Sequence, residues 1–251
     1  MTRPTFLTYN KPLLCCMVQA ETPERINELI ALSLPEGAEA FGMQLCRLKP
    51  EFRRPEIYRE LFNRPDGLPT YVTNYRFFEN SGKSDDVLAQ ELLELAECGA
   101  TLCDVMGDYY DITKGELTLN PEAISKQMKL IDGLHERGAE VLMSSHVSIF
   151  IPAEQVLEIA LEHQRRGADI CKIVTDGADM AAQIENIRII DLLKRELDIP
   201  FLYLAGGECR ILRRLGGHVG NCMSLCVHEY DKIATREQPI LREMKAIRDL
   251  I

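Results

Sequence analysis

The 251-residue chain has no run approaching the ~20 consecutive apolar residues that cross a bilayer as a helix. It has no excess of positive charge either, since 29 Lys and Arg face 39 Asp and Glu for a net charge of −10. An acidic chain repels phosphate backbones, so nucleic acid is set aside as a partner, and without a span so is the membrane. No Gly-, Ser- or Pro-rich linker divides the sequence, which leaves one domain over residues 1–251 as the expectation. The stretch "PLLCCMV" is too short for a secretory leader and lacks a cleavage-site flank. Glycine is missing from "MVQAETPER", where an open doubly wound sheet would carry its phosphate turn.

Cysteine is not scarce. There are nine, an odd number, and most sit inside apolar runs, as Cys15, Cys16, Cys103 and Cys171 do. They read as small core residues of a reduced cytoplasmic protein. Cys222, Cys226 and His228 form C-x3-C-x-H, which matches no common zinc spacing, so no metal is expected.

What is present is a repeated unit. "PEGAEAFGM", "AECGATLCDV", "HERGAEVLMS" and "QRRGADICKIV" each carry a polar or helical run, then Gly-Ala, then a short apolar run. Gly37, Gly99, Gly138 and Gly167 would end helices in the left-handed conformation, and the apolar runs read as strands buried on both faces. Helical patterns start at Thr22-Pro23, Ser84, Asn120-Pro121, Pro152 and Asp179, and a last one has Pro239 near its start. Strands are expected to begin near residues 13, 40, 70, 101, 140, 169, 200 and 221. Eight strands alternating with helices over this length predict a (β/α)8 barrel, with the doubly wound sheet as runner-up.

In such a barrel the chemistry lies at the carboxyl ends of the strands. Side chains alternate along a strand, so Lys172 shares a face with Ile170 and Val174, and His146 shares one with Leu142 and Ser144. A lone strand-end lysine more often snorkels to solvent, and a lone histidine is more often structural. Together, on adjacent strands at the catalytic face, they point to function. A desolvated lysine favours the free amine, a nucleophile that forms Schiff bases with ketones, and a neighbouring histidine can move protons at the next carbon. This is the chemistry of class I aldolases and imine-forming dehydratases.

"VLMSSHVS" and "GADICKIVT", with His146 and Lys172 separated by 26 residues, resemble the type I 3-dehydroquinate dehydratases, and the resemblance runs nearly end to end. It implies a cofactor-free lyase of the shikimate route to aromatic amino acids, which converts 3-dehydroquinate, or a related cyclic hydroxy keto acid, to the enone 3-dehydroshikimate or its analogue. It implies Lys172 as imine nucleophile and His146 as proton carrier. "YVTNYRFFENSG" resembles the segment that supplies a catalytic glutamate, which falls on Glu79. "RRLGG" puts the substrate-carboxylate arginine at Arg214, and "ATREQPI" puts a substrate glutamine at Gln238.

The chain departs from the family at several positions. Gln44 and Cys46 stand where a substrate-contacting Glu and Arg are usual, Tyr75 where an Arg is usual, Met106 in place of a Glu and Val147 in place of an Asp. Arg47 and Arg76 lie one residue off, which turns a strand side chain to the other face. Gln44 and Tyr75 are therefore expected as altered substrate contacts. Two alternatives stay open: a barrel of this family that has lost or changed its activity and serves in binding or regulation, and a class I aldolase. A homodimer is open as its assembly.

Overall fold

The computed structural model describes residues 3–7, 11–177 and 179–250. Eight parallel strands alternate with helices in the order expected. The strands are β1 (Leu13–Val18), β2 (Ala40–Gln44), β3 (Thr70–Thr73), β4 (Leu102–Met106), β5 (Glu140–His146), β6 (Ile170–Thr175), β7 (Phe201–Ala205) and β8 (Met223–Cys226). The major helices are α1 (Pro23–Ser33), α2 (Pro55–Asn63), α3 (Asp85–Cys98), α4 (Pro121–Glu136), α5 (Ala153–Arg165), α6 (Met180–Glu196), α7 (Leu212–Val219) and α8 (Leu241–Leu250). The sheet runs β7-β6-β5-β4-β3-β2-β1-β8, all parallel, which makes the chain a (β/α)8 barrel.

The local signals act as expected. Thr22, Ser84 and Asn120 each accept a backbone N–H of the first turn that follows. Gly37, Gly99, Gly138 and Gly167 all have positive φ at the helix-to-strand turns. Helices α2 and α7 are not among the helical starts expected above; both are short. The second carries Gly216 and Gly217 in its interior. The last helix begins at Leu241, with Pro239 near its start as expected and Ile240 still bridging Val227 beyond β8.

The barrel closes through a side chain. Between β7 and β8, Tyr203 N donates to Asn221 Oδ1 at 2.8 Å and Asn221 Nδ2 donates to Tyr203 O at 2.9 Å. Cys222 N adds a bond to Phe201 O. Gly216 permits this: a Cβ there would lie 2.4 Å from Asn221 Nδ2.

Strand alternation divides the core. Leu13, Cys15, Met17, Tyr71, Leu102, Leu142, Ile170, Leu202 and Leu225 fill the barrel interior. Their neighbours, among them Leu14, Cys16, Val72, Cys103, Val141 and Met143, pack against the helices. Lys172, Ser144 and Asp104 have the interior parity, so β4, β5 and β6 each deliver a polar group into the barrel above the apolar layer.

Candidate active site

Lys172 is 5% exposed, and a buried ammonium needs compensation. Its Nζ donates to Tyr75 OH at 2.7 Å, to Tyr71 OH at 3.2 Å and to Asp104 Oδ2 at 3.2 Å. Asp104 is buried too. Its Oδ1 accepts Ser144 Oγ at 2.5 Å, and its Oδ2 accepts Tyr75 OH at 2.5 Å as well as the Tyr71 hydroxyl. Register brings them together, since Ser144 is the β5 partner of Lys172 and Asp104 is the β4 partner of Leu142.

Burial alone would push the Asp104 carboxyl up. The Lys172 charge, and then the Ser144, Tyr71 and Tyr75 hydroxyls, outweigh it and hold the group below the usual carboxylate range. Burial, followed by the Asp104 charge, pushes both tyrosines well above the usual phenol range, so they remain protonated donors.

His146 ends β5 and is partly exposed. Its Nδ1 lies 2.6 Å from Glu116 Oε2, and its backbone N–H donates to the same oxygen at 3.1 Å. A carboxylate only accepts, so Nδ1 carries the proton and Nε2 is left for chemistry. The Tyr75 ring packs edge-on to the imidazole at 5.5 Å.

Glu116 comes from the loop between β4 and α4, and the loop is built to hold it. The residue has φ +52°, uncommon for a non-glycine. Ser145 Oγ donates to its carbonyl at 2.7 Å. Gly107 passes so close that a Cβ there would lie 2.4 Å from that carbonyl. The fully buried Arg166 donates to Gly107 O, Gln127 Oε1 and Thr118 O at 2.9, 2.6 and 2.5 Å and pairs with Glu162. Beneath, His163 is pushed down to about 3, first by burial and then by the Arg166 charge, so it is neutral. Ser145 gives its single proton to Glu116 O, so His163 Nε2, 3.0 Å away, is the donor to Ser145.

Lys172, Tyr75 and His146 line a cavity of about 200 Å³ together with Gln19, Gln44, Thr73, Arg213, Thr235 and Gln238, and with Met17, Val174, Leu204 and Leu225 as its apolar wall. Arg213 Nε donates to Ala205 O at 3.0 Å. Burial lowers the pKa of its guanidinium, with the nearby Glu237 charge opposing. No carboxylate among the described residues forms a salt bridge with it. Gln238 Oε1 and Thr73 Oγ1 are buried without a hydrogen-bond partner.

The structure thus gathers Lys172, His146, Tyr75, Gln44 and Gln238 from the sequence-derived set, and it corrects two positions. The carboxylate on His146 is Glu116; Glu79 lies exposed on the short 3-10 turn Phe78–Asn80. The chain turns outward after Tyr75 because Arg76 is drawn to Asp85 and Asp108, and because Asn80 is buried against Tyr75 O and Asn74. The arginine in the cavity is Arg213; Arg214, about 100° further round the helix, is not among the lining residues. Neither near-miss arginine reaches in. Arg47 bonds Gln44 Oε1 and stacks over Phe78, and Arg76 is held by its two aspartates.

Asp104, Tyr71 and Glu116 are the members that sequence reasoning missed. A signal existed for Asp104, a charged residue inside the apolar run "TLCDVMG", where a buried lysine would find its partner. Glu116 sits in a loop without such a signal. Cys222, Cys226 and His228 do not converge as a metal site; His228 Nδ1 meets Glu36 at 2.9 Å, and no group of three metal-ligating side chains forms among the described residues.

No family profile and no curated protein sequence matches the chain. Solved structures do. The type I 3-dehydroquinate dehydratase of Clostridium difficile, solved with covalently modified comenic acid, superposes with a TM-score of 0.80 at 14% identity, over 100% of this chain and 98% of that one. The 3-dehydroquinate dehydratase of Geobacillus kaustophilus gives 0.82 at 15%, over 100% and 96%. The aldolase QR15 gives 0.57 at 13%, over 95% and 96%. The expected resemblance to the type I dehydratases is met end to end, as a likeness of fold.

Proposed function

We propose that the protein is an imine-forming lyase that dehydrates a cyclic hydroxy keto acid related to 3-dehydroquinate. The observation that carries this reading is the single cavity in which Lys172 Nζ, a histidine with a carboxylate fixed on its far nitrogen, and an arginine free of carboxylate partners are presented together. Lys172 adds to the ring ketone, water leaves, and an iminium forms. His146 Nε2 takes a proton from the adjacent carbon, and the electron pair runs to the iminium nitrogen to give an enamine. The hydroxyl beyond then departs with the proton that the imidazolium returns, and hydrolysis frees the enone and the lysine. The imine nitrogen is the electron sink, so this scheme calls for no cofactor.

Arg213 suits a substrate carboxylate. The loop after β7 does not suit a phosphate, because the Asp176 carboxylate lies against it: a Cβ on Gly207 would fall 2.6 Å from Asp176 Oδ1. This disfavours an aldolase acting on a phosphorylated sugar. Gln44 and Cys46 replace a charged pair, and neither Arg47 nor Arg76 compensates. We therefore assign a substrate with one carboxylate and fewer or displaced hydroxyls, and weak activity on 3-dehydroquinate itself. The nine free thiols suit a reducing compartment such as the cytoplasm.

The test is enone formation, read by ultraviolet absorbance with 3-dehydroquinate and analogues lacking single hydroxyls. Turnover that is fastest on an analogue, and at least ~100-fold slower in His146→Ala, supports the reading. No enone from any keto acid would refute it.

A further inference from the structure

We propose that Tyr75, backed by Asp104, is the proton donor and acceptor for the imine-forming steps, leaving His146 to the proton transfers at carbon. This rests on Lys172 being the imine nucleophile. Among the described residues in hydrogen-bond contact with Lys172 Nζ, only Tyr75 also lines the cavity. Its hydroxyl stands in a chain: Nζ donates to Tyr75 OH at 2.7 Å, and Tyr75 OH donates to Asp104 Oδ2 at 2.5 Å. Tyr71 makes the same two contacts but lies outside the lining. His146 Nδ1 is occupied by Glu116.

The chain balances as a relay. The Lys172 ammonium gives one proton to Asp104, directly or through Tyr75, leaving an amine and a neutral acid. The amine adds to the ketone, a C–N bond forms, and a proton passes from nitrogen to oxygen to give the carbinolamine. Its oxygen sits on the carbon joined to Nζ and so forms beside the cavity group that touches Nζ, the Tyr75 hydroxyl. Tyr75 protonates it, the C–O bond breaks, water leaves, and the nitrogen lone pair closes the C=N bond. Asp104 returns its proton to the tyrosinate. The iminium and the carboxylate that remain carry the same charges as the ammonium and carboxylate at the start. Hydrolysis runs the relay backwards.

The experiment separates this relay from the dehydratase reading by using a probe that needs no recognition by Arg213. Pentane-2,4-dione condenses with a nucleophilic lysine to a stable conjugated enaminone, read by absorbance and by the mass of the Lys172 peptide. Wild type, Tyr75→Phe and Tyr71→Phe are compared after thermal melts confirm that each is folded. The relay predicts that Tyr75→Phe forms the adduct at least ~100-fold more slowly, the low end for general acid–base catalysis, with a smaller loss in Tyr71→Phe. Equal rates in Tyr75→Phe and wild type, equal losses in the two variants, or no Lys172 adduct in wild type would each overturn it. A Tyr75-dependent adduct in a protein that turns over no cyclic keto acid would uphold the relay and reject the dehydratase reading.

Discussion

The floor and the wall of the cavity are in opposite states. On the floor, Lys172, Asp104, Tyr71, Tyr75 and Ser144 satisfy one another in a buried network. On the wall, the Arg213 guanidinium forms no salt bridge with a carboxylate among the described residues, and Gln238 Oε1 and Thr73 Oγ1 have no protein hydrogen-bond partner. A complete network costs no reorganisation when the reaction begins, which is the condition for electrostatic preorganisation. Buried polar atoms without a protein partner are available to a ligand that supplies one. On the proposed function the floor serves chemistry and the wall recognition, and mutations should then divide along that line.

The largest effect should follow from opening the floor. Lys172→Ala should abolish turnover and, by leaving Asp104 buried without its counter-charge, destabilise the fold by about 3–5 kcal/mol. Activity assays and denaturant melts read both losses. A variant as stable as wild type would show that the ion pair is not the constraint described here.

Next comes the support of His146. Glu116→Gln removes the charge that orients the imidazole and should lower kcat by about 100-fold with little change in KM. Glu79→Gln should stay within about twofold of wild type. Steady-state kinetics on the pair decides between the two carboxylates.

The wall should respond in KM. Arg213→Ala removes a charge-assisted contact worth about 1.5–3 kcal/mol, so kcat/KM should fall about 10- to 100-fold while Lys172 remains trappable. Arg214→Ala should leave the constants near wild type. The reverse pattern would return the carboxylate site to Arg214.

Acid should loosen the floor before the wall. Asp104 is held below its unfolded range, so the unfolded chain binds its proton first as pH falls. Its contribution to stability is full above about pH 4, the unfolded carboxyl range, and is lost as pH drops through the lower folded value. The stability gap between wild type and Asp104→Asn should therefore narrow below about pH 4, as urea midpoints across that range would show. The smallest effect is expected from Thr73→Val, which swaps an unpartnered hydroxyl for a methyl group and should change stability by less than about 1 kcal/mol.

Much of this molecule can be read from its sequence. The Gly-Ala turns at Gly37, Gly99, Gly138 and Gly167 mark strand starts to within two residues, because helix stop signals and buried strands are local properties. Lys172 and His146 stand out because charge inside an apolar run is anomalous wherever it occurs. Asp104 carries the same anomaly and becomes meaningful only once β4 and β6 are known to face a shared interior. Glu116 and Arg213 are harder. One is delivered by a long loop pinned by Arg166 from α5's end, and the other is chosen over its neighbour by helical phase, and neither constraint is local. Glu79 and Arg214 follow from position in the chain alone, and a changed course after Tyr75 and a shift of one residue put Glu116 on His146 and Arg213 in the cavity instead.

The central claim is that Lys172 is an imine-forming nucleophile. Borohydride reduction in the presence of 3-dehydroquinate and its deoxy analogues, followed by peptide mass mapping, tests it most directly. The account predicts one reduced adduct, on Lys172, which is absent from Lys172→Ala and weaker in Arg213→Ala. Turnover with no adduct on Lys172, or an adduct confined to another lysine, would contradict it.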